Sequence, residues 1–218
     1  MTMNWNEIFD LYVKKDDMHE WMQKPFLNMK DDTVWATDGH AAFIIPTIMA
    51  DQIYPSHDVN FKLPELISLN SCPHYTTEQL MAAIDRCGKE EIMEEKEVKC
   101  PECDGEGMVL WEYRTSREDY EHEYECPVCE GEGHIYKEVP TGRFEPSHKC
   151  GIRIGEGVYS AWQIDRVVKT MKLLNVDTLN IVSKTDRFHA VLFQFGIMNV
   201  HVLQMPMLAE AETDITEI

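Results

Sequence analysis

The stretch VWATDGHAAF, from Val34 to Phe43, consists of two apolar runs separated by a short polar corner. Asp38 and Gly39 favour a turn there, because an Asp side chain accepts hydrogen bonds from nearby backbone N–H groups and Gly adopts positive φ without strain. In this interpretation Thr37 caps the corner and His40 begins the next strand. The stretch therefore predicts two strands joined at a β-corner.

The sequence around this corner predicts a helix followed by a β-meander. From Pro25 to Pro46, short apolar runs are divided by an Asp31-Asp32 turn and by the corner, which is typical of three antiparallel strands. Before them, the residues from Asn4 to Lys15 place apolar side chains at helical spacing. We expect an amphipathic first helix that packs on the sheet.

The C-terminal part of the chain has the same order of elements. SAWQIDRVVKTMKLL carries its apolar residues on one side of a helix, and Ser160 is its predicted N-cap. TLNIVS, FHAVLFQF and MNVHVLQM then predict three strands. The acidic tail LAEAETDITEI is expected to fray. The two ends of the chain thus predict two halves of one α+β unit, each a helix with a three-stranded meander.

Length, charge and hydropathy restrict the function. The 218 residues suit one large domain with an insertion, and 39 Asp and Glu against 20 Lys and Arg give a net charge of −19. Such a charge repels nucleic-acid phosphates, so non-specific DNA binding is not expected. The sequence has no apolar run of the roughly 20 residues that cross a bilayer and no signal-peptide layout at its N-terminus. We therefore predict a cytoplasmic protein without membrane partners.

A cysteine-containing phrase occurs twice in the middle of the chain. CPECDGEG runs from Cys100 to Gly107 and CPVCEGEG runs from Cys126 to Gly133. Two CxxC pairs can supply four thiolates to one tetrahedral ion, and Zn²⁺ is the ion expected. Two alternatives are buried cysteine pairs without metal and a redox-active CxxC. The metal ligands that we predict are Cys100, Cys103, Cys126 and Cys129.

The other cysteines permit a further reading. Cys72, His74, His148 and Cys150 bracket the repeated phrases and could form a second metal site, although Cys-x-His spacing is tighter than a typical zinc knuckle. The alternative is that they are ordinary packed or surface groups. Cys87, at the end of a helix predicted within TTEQLMAAIDRCG, is interpreted as a core residue.

The phrase CxxCxGxG resembles the repeat of the cysteine-rich zinc domain of DnaJ-type chaperones. That domain carries four copies and two zinc ions, so two copies here imply one zinc centre and one hairpin, whose arms we place at Met108 to Tyr113 and Tyr120 to Glu125. The HPD tripeptide of a J-domain is absent from the sequence, so the resemblance does not imply chaperone activity. A closed site of four thiolates leaves no position for a reactive water, which favours a structural or partner-binding role.

The ends of the chain resemble the bacterial sliding clamp, the β subunit of DNA polymerase III. VWATDGHAAF is similar to that family's ATDGHRL signature, and QMPM, from Gln204 to Met207, is similar to its closing VMPMRL. The resemblance implies a single DNA-clamp-like domain with its helices toward DNA and its sheets outside. The residues that carry it are Thr37, Asp38, Gly39, His40, Met205, Pro206 and Met207.

The sequence departs from the clamp family in two places. Ala41 and Ala42 follow His40 where clamps have Arg-Leu. Leu208 and ten further residues follow Met207, where a clamp chain ends, and the family's peptide-docking groove is built partly from its terminal residues. The predicted domains are a clamp-like domain of residues 1–46 and 158–218, a helical and irregular insertion of residues 47–97, and a zinc-binding module of residues 98–140.

Two functions are compatible with these patterns. The first is a non-catalytic, clamp-like, zinc-binding accessory protein of DNA replication or repair, from a phage or mobile element, that binds a protein partner. The second is a zinc-stabilised interaction or regulatory adaptor with no direct DNA role. We expect no enzyme activity, and a monomer or homodimer rather than a closed ring. The candidates for DNA-facing residues are Lys14, Lys15, Arg166, Lys169 and Lys172.

Overall fold

The computed structural model describes residues 3–59, 63–67, 72–196, 199–208 and 213–218. Its contacts divide the chain into unit 1, Met1–Glu90 with Pro146–Ile218, and unit 2, Glu91–Glu145. Residues 47–90 therefore belong with both flanks, whereas the sequence assigned 47–97 to an insertion. The reason is that the helix Thr77–Cys87, predicted from TTEQLMAAIDRCG, packs its apolar face against the helix Ala161–Leu174 of the C-terminal part.

Helices and strands occupy the following ranges. The helices are α1 (Trp5–Phe9), α2 (Glu20–Gln23), α3 (Thr77–Cys87) and α4 (Ala161–Leu174), and Thr47–Met49 forms a 3₁₀ turn. The strands are β1 (Phe26–Asn28), β2 (Thr33–Thr37), β3 (Ala41–Pro46), β4 (Ser56–His57), β5 (His74–Thr76), β6 (Lys89–Lys99), β7 (Met108–Arg114), β8 (Asp119–Glu125), β9 (His134–Pro146), β10 (Gly151–Ile154), β11 (Gly157–Ser160), β12 (Thr178–Ile181), β13 (Val191–Phe195), β14 (His201–Gln204) and β15 (Ile215–Glu217). Within the described part of the chain, no helix is long and apolar enough to cross a lipid bilayer. The protein thus contains both α-helices and β-sheets, with few helices and many strands.

Unit 1 is built on an eight-stranded sheet in the order β4-β1-β2-β3-β14-β13-β12-β5. The predicted N-terminal meander is β1-β2-β3, and β12-β13-β14 come from the three predicted C-terminal strands. Antiparallel pairing of β3 with β14 joins them, with Phe43 opposite Val202. If each meander formed a separate sheet, the strand near Phe43 or Val200 would be a free edge. It is not, because β3 and β14 pair with each other in the middle of the sheet.

The main core of unit 1 lies between the sheet and the two helices predicted from apolar periodicity. Trp5 and Phe9 of α1 contact Phe43, as does Tyr12, whose ring stacks on it at 5.7 Å between centroids. From α4, buried apolar side chains such as Ile164 complete the layer. The predicted cap at Ser160 is confirmed, because it forms a capping box with Gln163, and Thr76 forms the same kind of box with Gln79 at the start of α3.

The first helix is shorter than the sequence predicted. It ends at Phe9 and not near Lys15, and the chain continues in turns closed by Leu11 N–H to Ile8 O and Tyr12 N–H to Phe9 O. The buried Tyr12 hydroxyl forms a hydrogen bond of 2.9 Å with Thr170 Oγ1 of α4. The helix therefore ends where Tyr12 contacts α4 and the sheet. Apolar residues at helical spacing beyond Phe9 are buried from turns and not from a longer helix.

The end of the acidic tail forms strand β15, which corrects the prediction that the tail frays for residues 213–218; residues 209–212 lie outside the described residues. β15 pairs in parallel with β10, which also pairs with β11. Gly151 N–H donates to Asp214 O at 2.8 Å, and Arg153 Nε lies 2.7 Å from Glu217 Oε1. The acidic tail thus pairs with the edge strand β10 and forms an ion pair with Arg153. The composition of the tail predicts neither contact.

A disulfide joins Cys87 at the end of α3 to Cys150 just before β10. The sequence treated Cys87 as a core residue and Cys150 as a candidate metal ligand. Their separation of 63 residues gave no local signal, and the packing of α3 beside β10 brings their Cα atoms to 5.5 Å. That distance is usual for a disulfide.

A buried ion pair connects α4 to the β2–β3 corner. Arg166 Nη1 lies 2.5 Å from Asp38 Oδ2, and the two side chains are 6% and 17% exposed. The guanidinium lies 4.8 Å above the Tyr12 ring and 4.9 Å from the Trp162 ring. Its Nη2 donates to Gln204 Oε1 at 3.3 Å. Burial alone would raise the pKa of Asp38, but Arg166 and the backbone amides of the corner hold it below its usual value.

We expect Asp38→Asn to lower the free energy of unfolding by about 3 kcal/mol, because it leaves the buried guanidinium without a counter-charge. The Asn oxygen can still accept the corner's hydrogen bonds, so the change isolates the charge. The folded-state pKa of Asp38 is depressed, so the pair stabilises at pH values above the unfolded pKa and the contribution is lost as pH falls through the folded value. Urea unfolding of both proteins at several pH values measures this.

Asp16→Asn is the matched control for that prediction, because Asp16 is exposed and the substitution changes the net charge equally. It should leave the unfolding free energy nearly unchanged. Equal destabilisation by the two substitutions, or a difference that does not shrink in acid, would contradict the assigned role of the ion pair.

Candidate functional site

The two repeated phrases fold into matching loops in unit 2. Gly107 N–H points to Cys103 Sγ at 3.3 Å, and Gly133 N–H points to Cys129 Sγ at 3.2 Å. Two further hydrogen bonds join the loops to each other. Cys100 N–H donates to Gly133 O at 2.9 Å, and Cys126 N–H donates to Gly107 O at 2.8 Å. Each loop therefore positions the other.

Glycine is required where the loops meet. Gly107 and Gly133 have φ of 76° and 80°, a conformation that side chains rarely adopt. A Cβ on Gly107 would lie 2.3 Å from Gly131 O, and one on Gly133 would lie 2.5 Å from Gly105 O. Both the backbone conformation and the close approach of the two loops explain why the phrase ends in GxG.

The four sulfurs form a compact group with the dimensions of a tetrahedral metal site. Their atoms lie within 4.8 Å of one another, with Cys100 to Cys126 at 3.8 Å and Cys103 to Cys129 at 3.7 Å. A tetrahedron with Zn–S bonds of about 2.3 Å has edges of about 3.8 Å. All four cysteines are buried, and Val109 and Ile135 pack on them. The predicted ligand set is thus brought together, and its geometry fits Zn²⁺.

The protonation of the group favours a cation. Burial opposes ionisation of Cys103, but hydrogen bonds from the Gly107 and Gly105 amides lower its pKa to about 7. Burial and the neighbouring thiols raise the pKa of Cys129 to about 11. A first thiolate therefore forms easily, while further ionisation meets its negative charge. A divalent cation removes that repulsion and holds all four sulfurs as thiolates.

The proposed second metal site does not exist in the predicted form. Cys150 Sγ is bonded to Cys87 and is not available as a thiolate ligand. His148 instead stacks on Trp162, with ring centroids 4.8 Å apart. Among the described residues, the four cysteines of the repeated phrases are the only group of three or more candidate ligands that lies close enough for a metal ion.

A second candidate site is an apolar cavity of about 630 Å³ in unit 1. It lies at the β-corner, beside the end of β14. Four of the seven clamp-motif residues line it: Thr37, Gly39, His40 and Met205. The backbone connects the two motifs directly, because Met205 N–H donates to His40 O at 2.9 Å. The remaining lining residues are Trp35, Ala41, Ala42, Leu63, Pro64, Glu65, Lys184, Asp186, Phe188, His189, Ala190 and Leu203.

Two motif residues outside the cavity, Asp38 and Met207, have structural roles. Asp38 points to Arg166, and its Oδ1 accepts the N–H groups of His40 and Ala41 at 2.9 and 2.8 Å. Met207 N–H donates to Val158 O at 2.8 Å and so attaches the chain to β11. The corner has the predicted form, with Thr37 Oγ1 accepting from Gly39 N–H at 3.1 Å.

Sequence reasoning missed the opposite wall of the cavity. FHAVLFQF was predicted as one strand, but β13 begins at Val191, and Phe188 lies in the preceding loop, 70% exposed. Asp186 fixes that loop by accepting the N–H groups of Phe188 and His189, both at 2.7 Å, and these bonds lower its pKa. An Asp side chain that accepts a backbone N–H two residues later is common in loops, so Asp186 could indicate a loop before Phe188. It does not indicate a cavity.

The candidate DNA-facing residues do not form one stripe. Arg166 is buried in the ion pair with Asp38, so it is wrongly placed among them. Lys14, Lys15 and Lys169 are exposed and pair with Asp17, Asp10 and Asp165. Lys172 is exposed near the end of α4. That these lysines face DNA stays a prediction, and local carboxylates reduce the positive field available for it.

We expect the purified protein to hold one Zn²⁺ and Cys103→Ser to abolish its retention. Because metal binding is folding free energy for a small module, unit 2 should then become sensitive to protease between about residues 96 and 142, while unit 1 stays protected. Elemental analysis and limited proteolysis measure the two effects. Cys72→Ser, outside the group, is the control. Absence of metal in the native protein, or loss of unit 1 as well, would contradict the prediction.

No protein-family model matches the sequence, and no curated protein matches it. Among solved structures, the chain is similar to DNA polymerase III subunit beta of Pseudomonas aeruginosa, at a TM-score of 0.40 and 12% identity over 92% of this chain and 62% of that one. For the DNA polymerase sliding clamp of Bacillus subtilis, the TM-score is 0.41 and the identity is 11% over 95% and 64% of the chains. The C. crescentus β sliding clamp likewise gives a TM-score of 0.41, with 11% identity over 94% and 64%. The chain thus has a weak, clamp-like structural similarity and spans less than two thirds of these clamps.

Proposed function

We propose that this protein is a non-catalytic, clamp-like accessory protein of DNA replication or repair that docks a peptide of a partner protein in the cavity of unit 1. The observation that carries the proposal is the meeting of the two clamp-like motifs at this cavity. His40 from one and Met205 from the other line it together, 165 positions apart in the chain. The proposal assigns unit 2 a structural Zn²⁺ held by the four cysteines.

The chemistry of the cavity suits a peptide with apolar side chains. Trp35, Leu203 and Phe188 offer apolar surface, and the exposed ring of Phe188 at the rim can close over a bound side chain. Lys184 and Glu65 contribute charges of both signs among the lining residues and can orient a backbone or a polar side chain. The volume of about 630 Å³ accommodates a few side chains.

The proposal includes no catalytic step. The Asp186–His189 pair, 2.8 Å apart, resembles a general-base pair in composition, but both side chains are largely exposed and the carboxylate is engaged by two backbone amides. Catalytic groups usually work at desolvated positions where their pKa values are shifted toward the working pH. The predicted origin from a phage or mobile element has no support in these features and stays a prediction.

The second candidate is an interaction or regulatory adaptor without a direct DNA role. It is favoured by the net charge of −19 and by the carboxylates that pair with Lys14, Lys15 and Lys169. Both candidates share the peptide cavity and the zinc centre. They differ in whether duplex DNA binds.

We expect peptides selected from a random displayed library to contain apolar residues and to bind this cavity. Phe188→Ser should weaken a selected peptide about tenfold, since an exposed aromatic at a docking site contributes roughly 1–2 kcal/mol. Met29→Ser is the matched control, because Met29 is 71% exposed, as Phe188 is 70%, and does not line the cavity. Fluorescence anisotropy of the labelled peptide measures both. Equal affinity for the two variants would remove the cavity from the proposal.

We expect duplex DNA to bind weakly at low salt and to be released as salt rises, through Lys169 and Lys172. The double substitution Lys169→Gln/Lys172→Gln should reduce the slope of log affinity against log salt by about two. Lys30→Gln is the control, because Lys30 is about as exposed as Lys169 but is not among the candidate DNA-facing residues. It should leave the slope unchanged. Light scattering of the same samples should give a monomer or dimer. No binding at any salt concentration favours the adaptor, and a closed ring on DNA contradicts the predicted assembly.

A further inference from the structure

The hairpin of β7 and β8 in unit 2 carries an aromatic face. Its register places Val109 opposite Tyr124, Trp111 opposite His122, and Tyr113 opposite Tyr120. Directly opposed residues, and residues two apart on a strand, point to the same side of a sheet. One side of the hairpin therefore consists of one aliphatic and five ring-bearing side chains. The contacts agree, since the Tyr124 ring lies 6.1 Å from Trp111 and 4.8 Å from His122.

This aromatic face is open to solvent. Trp111, Tyr113, Tyr120 and Tyr124 are 61%, 69%, 54% and 53% exposed. Within the described part of the chain, β7 and β8 form a sheet of two strands, to which no third strand is paired. An isolated two-stranded hairpin is marginally stable in water, and large contiguous apolar surface is uncommon on a soluble protein unless something binds it. The face is thus a candidate interaction surface.

The group of four cysteines lies at the base of this surface. Cys126 follows β8 directly, and its N–H donates to Gly107 O, which precedes β7. Val109, at the base of the face, packs on the four sulfurs. The rings are therefore mounted on a rigid base, so a ligand need not pay the full entropy of ordering the hairpin.

The charge around the rings is strongly negative. In the sequence DYEHEYE, from Asp119 to Glu125, carboxylates alternate with the rings and therefore lie on the opposite side of β8. The opposite side of the hairpin pairs Glu112 with Glu121. Residues 91–145 as a whole contain 17 Asp and Glu against 6 Lys and Arg, a net charge of −11. Carboxylates beside an aromatic surface add to the attraction that the ring faces exert on cations.

We propose that the aromatic face of this hairpin binds an arginine-rich segment of a partner protein. Guanidinium groups stack on Trp and Tyr rings, and the net negative charge of residues 91–145 attracts them to this hairpin. The same charge disfavours the other occupants of an aromatic surface: nucleic acid and anionic membranes are repelled, and a second copy would bring two acidic hairpins together. This proposal does not depend on the peptide cavity of unit 1.

The test measures binding of a fluorescein-labelled peptide of alternating Arg and Gly to the zinc-loaded full chain. We expect the double substitution Trp111→Ser/Tyr113→Ser to weaken binding about tenfold, because two stacking rings are lost while the protein's charge is unchanged. Leu110→Ser is the matched control: Leu110 is 56% exposed on the opposite side of β7 and should leave binding intact. Zinc content of each variant verifies that the hairpin base is retained.

A peptide with Gln at each Arg position should bind at least tenfold more weakly than the Arg peptide. Equal binding of the two peptides would overturn the proposal, as would a Trp111→Ser/Tyr113→Ser protein that keeps its zinc and its full affinity. Tighter binding of single-stranded oligothymidylate than of the Arg peptide would identify a base-stacking surface instead. Self-association that the same double substitution abolishes would show that a second copy covers the face.

Discussion

The buried pair of Arg166 and Asp38 is the interaction on which unit 1 depends. It links α4, the β2–β3 corner and, through Gln204, the end of β14. Removing a charge from water costs several kcal/mol, so each partner is tolerable inside only because the other is there. The same pair orients the corner so that Thr37, Gly39 and His40 line the cavity while Asp38 points away from it. The segment from Thr37 to His40 therefore contributes both to the buried ion pair and to the lining of the cavity.

Unit 2 relies on a different kind of constraint. Its strands are largely exposed and its buried apolar cluster consists of the four cysteines with Val109 and Ile135. So small a core cannot offset the conformational entropy of ordering about fifty residues. A metal ion bound by the four cysteines at the base of β7 and β8 would offset that entropy without any apolar cover on the rings of the hairpin.

The acidic composition has opposite consequences in the two units. In unit 1, carboxylates pair with the exposed Lys14, Lys15 and Lys169, so these lysines contribute little net positive charge to the surface. In unit 2, the same residue types surround aromatic rings and make that surface attractive to cations. Carboxylates thus cancel the charge of lysines in unit 1, whereas in unit 2 they give the hairpin a negative charge.

Local patterns in the sequence determined the elements and the metal ligands. Apolar spacing and the Ser160 cap predicted α4, apolar runs divided by turns predicted the strands of the two meanders, and CxxCxGxG spacing predicted the group of four cysteines. Tertiary structure alone decided what depends on long-range contact: the Cys87–Cys150 bond, the β15 strand in an acidic tail, the end of α1 at Phe9, the burial of Arg166, and the wall that Phe188 adds to the cavity. In each of these cases the partner lies far away in the chain, and its distance is a property of the packed sheet rather than of any short stretch of sequence.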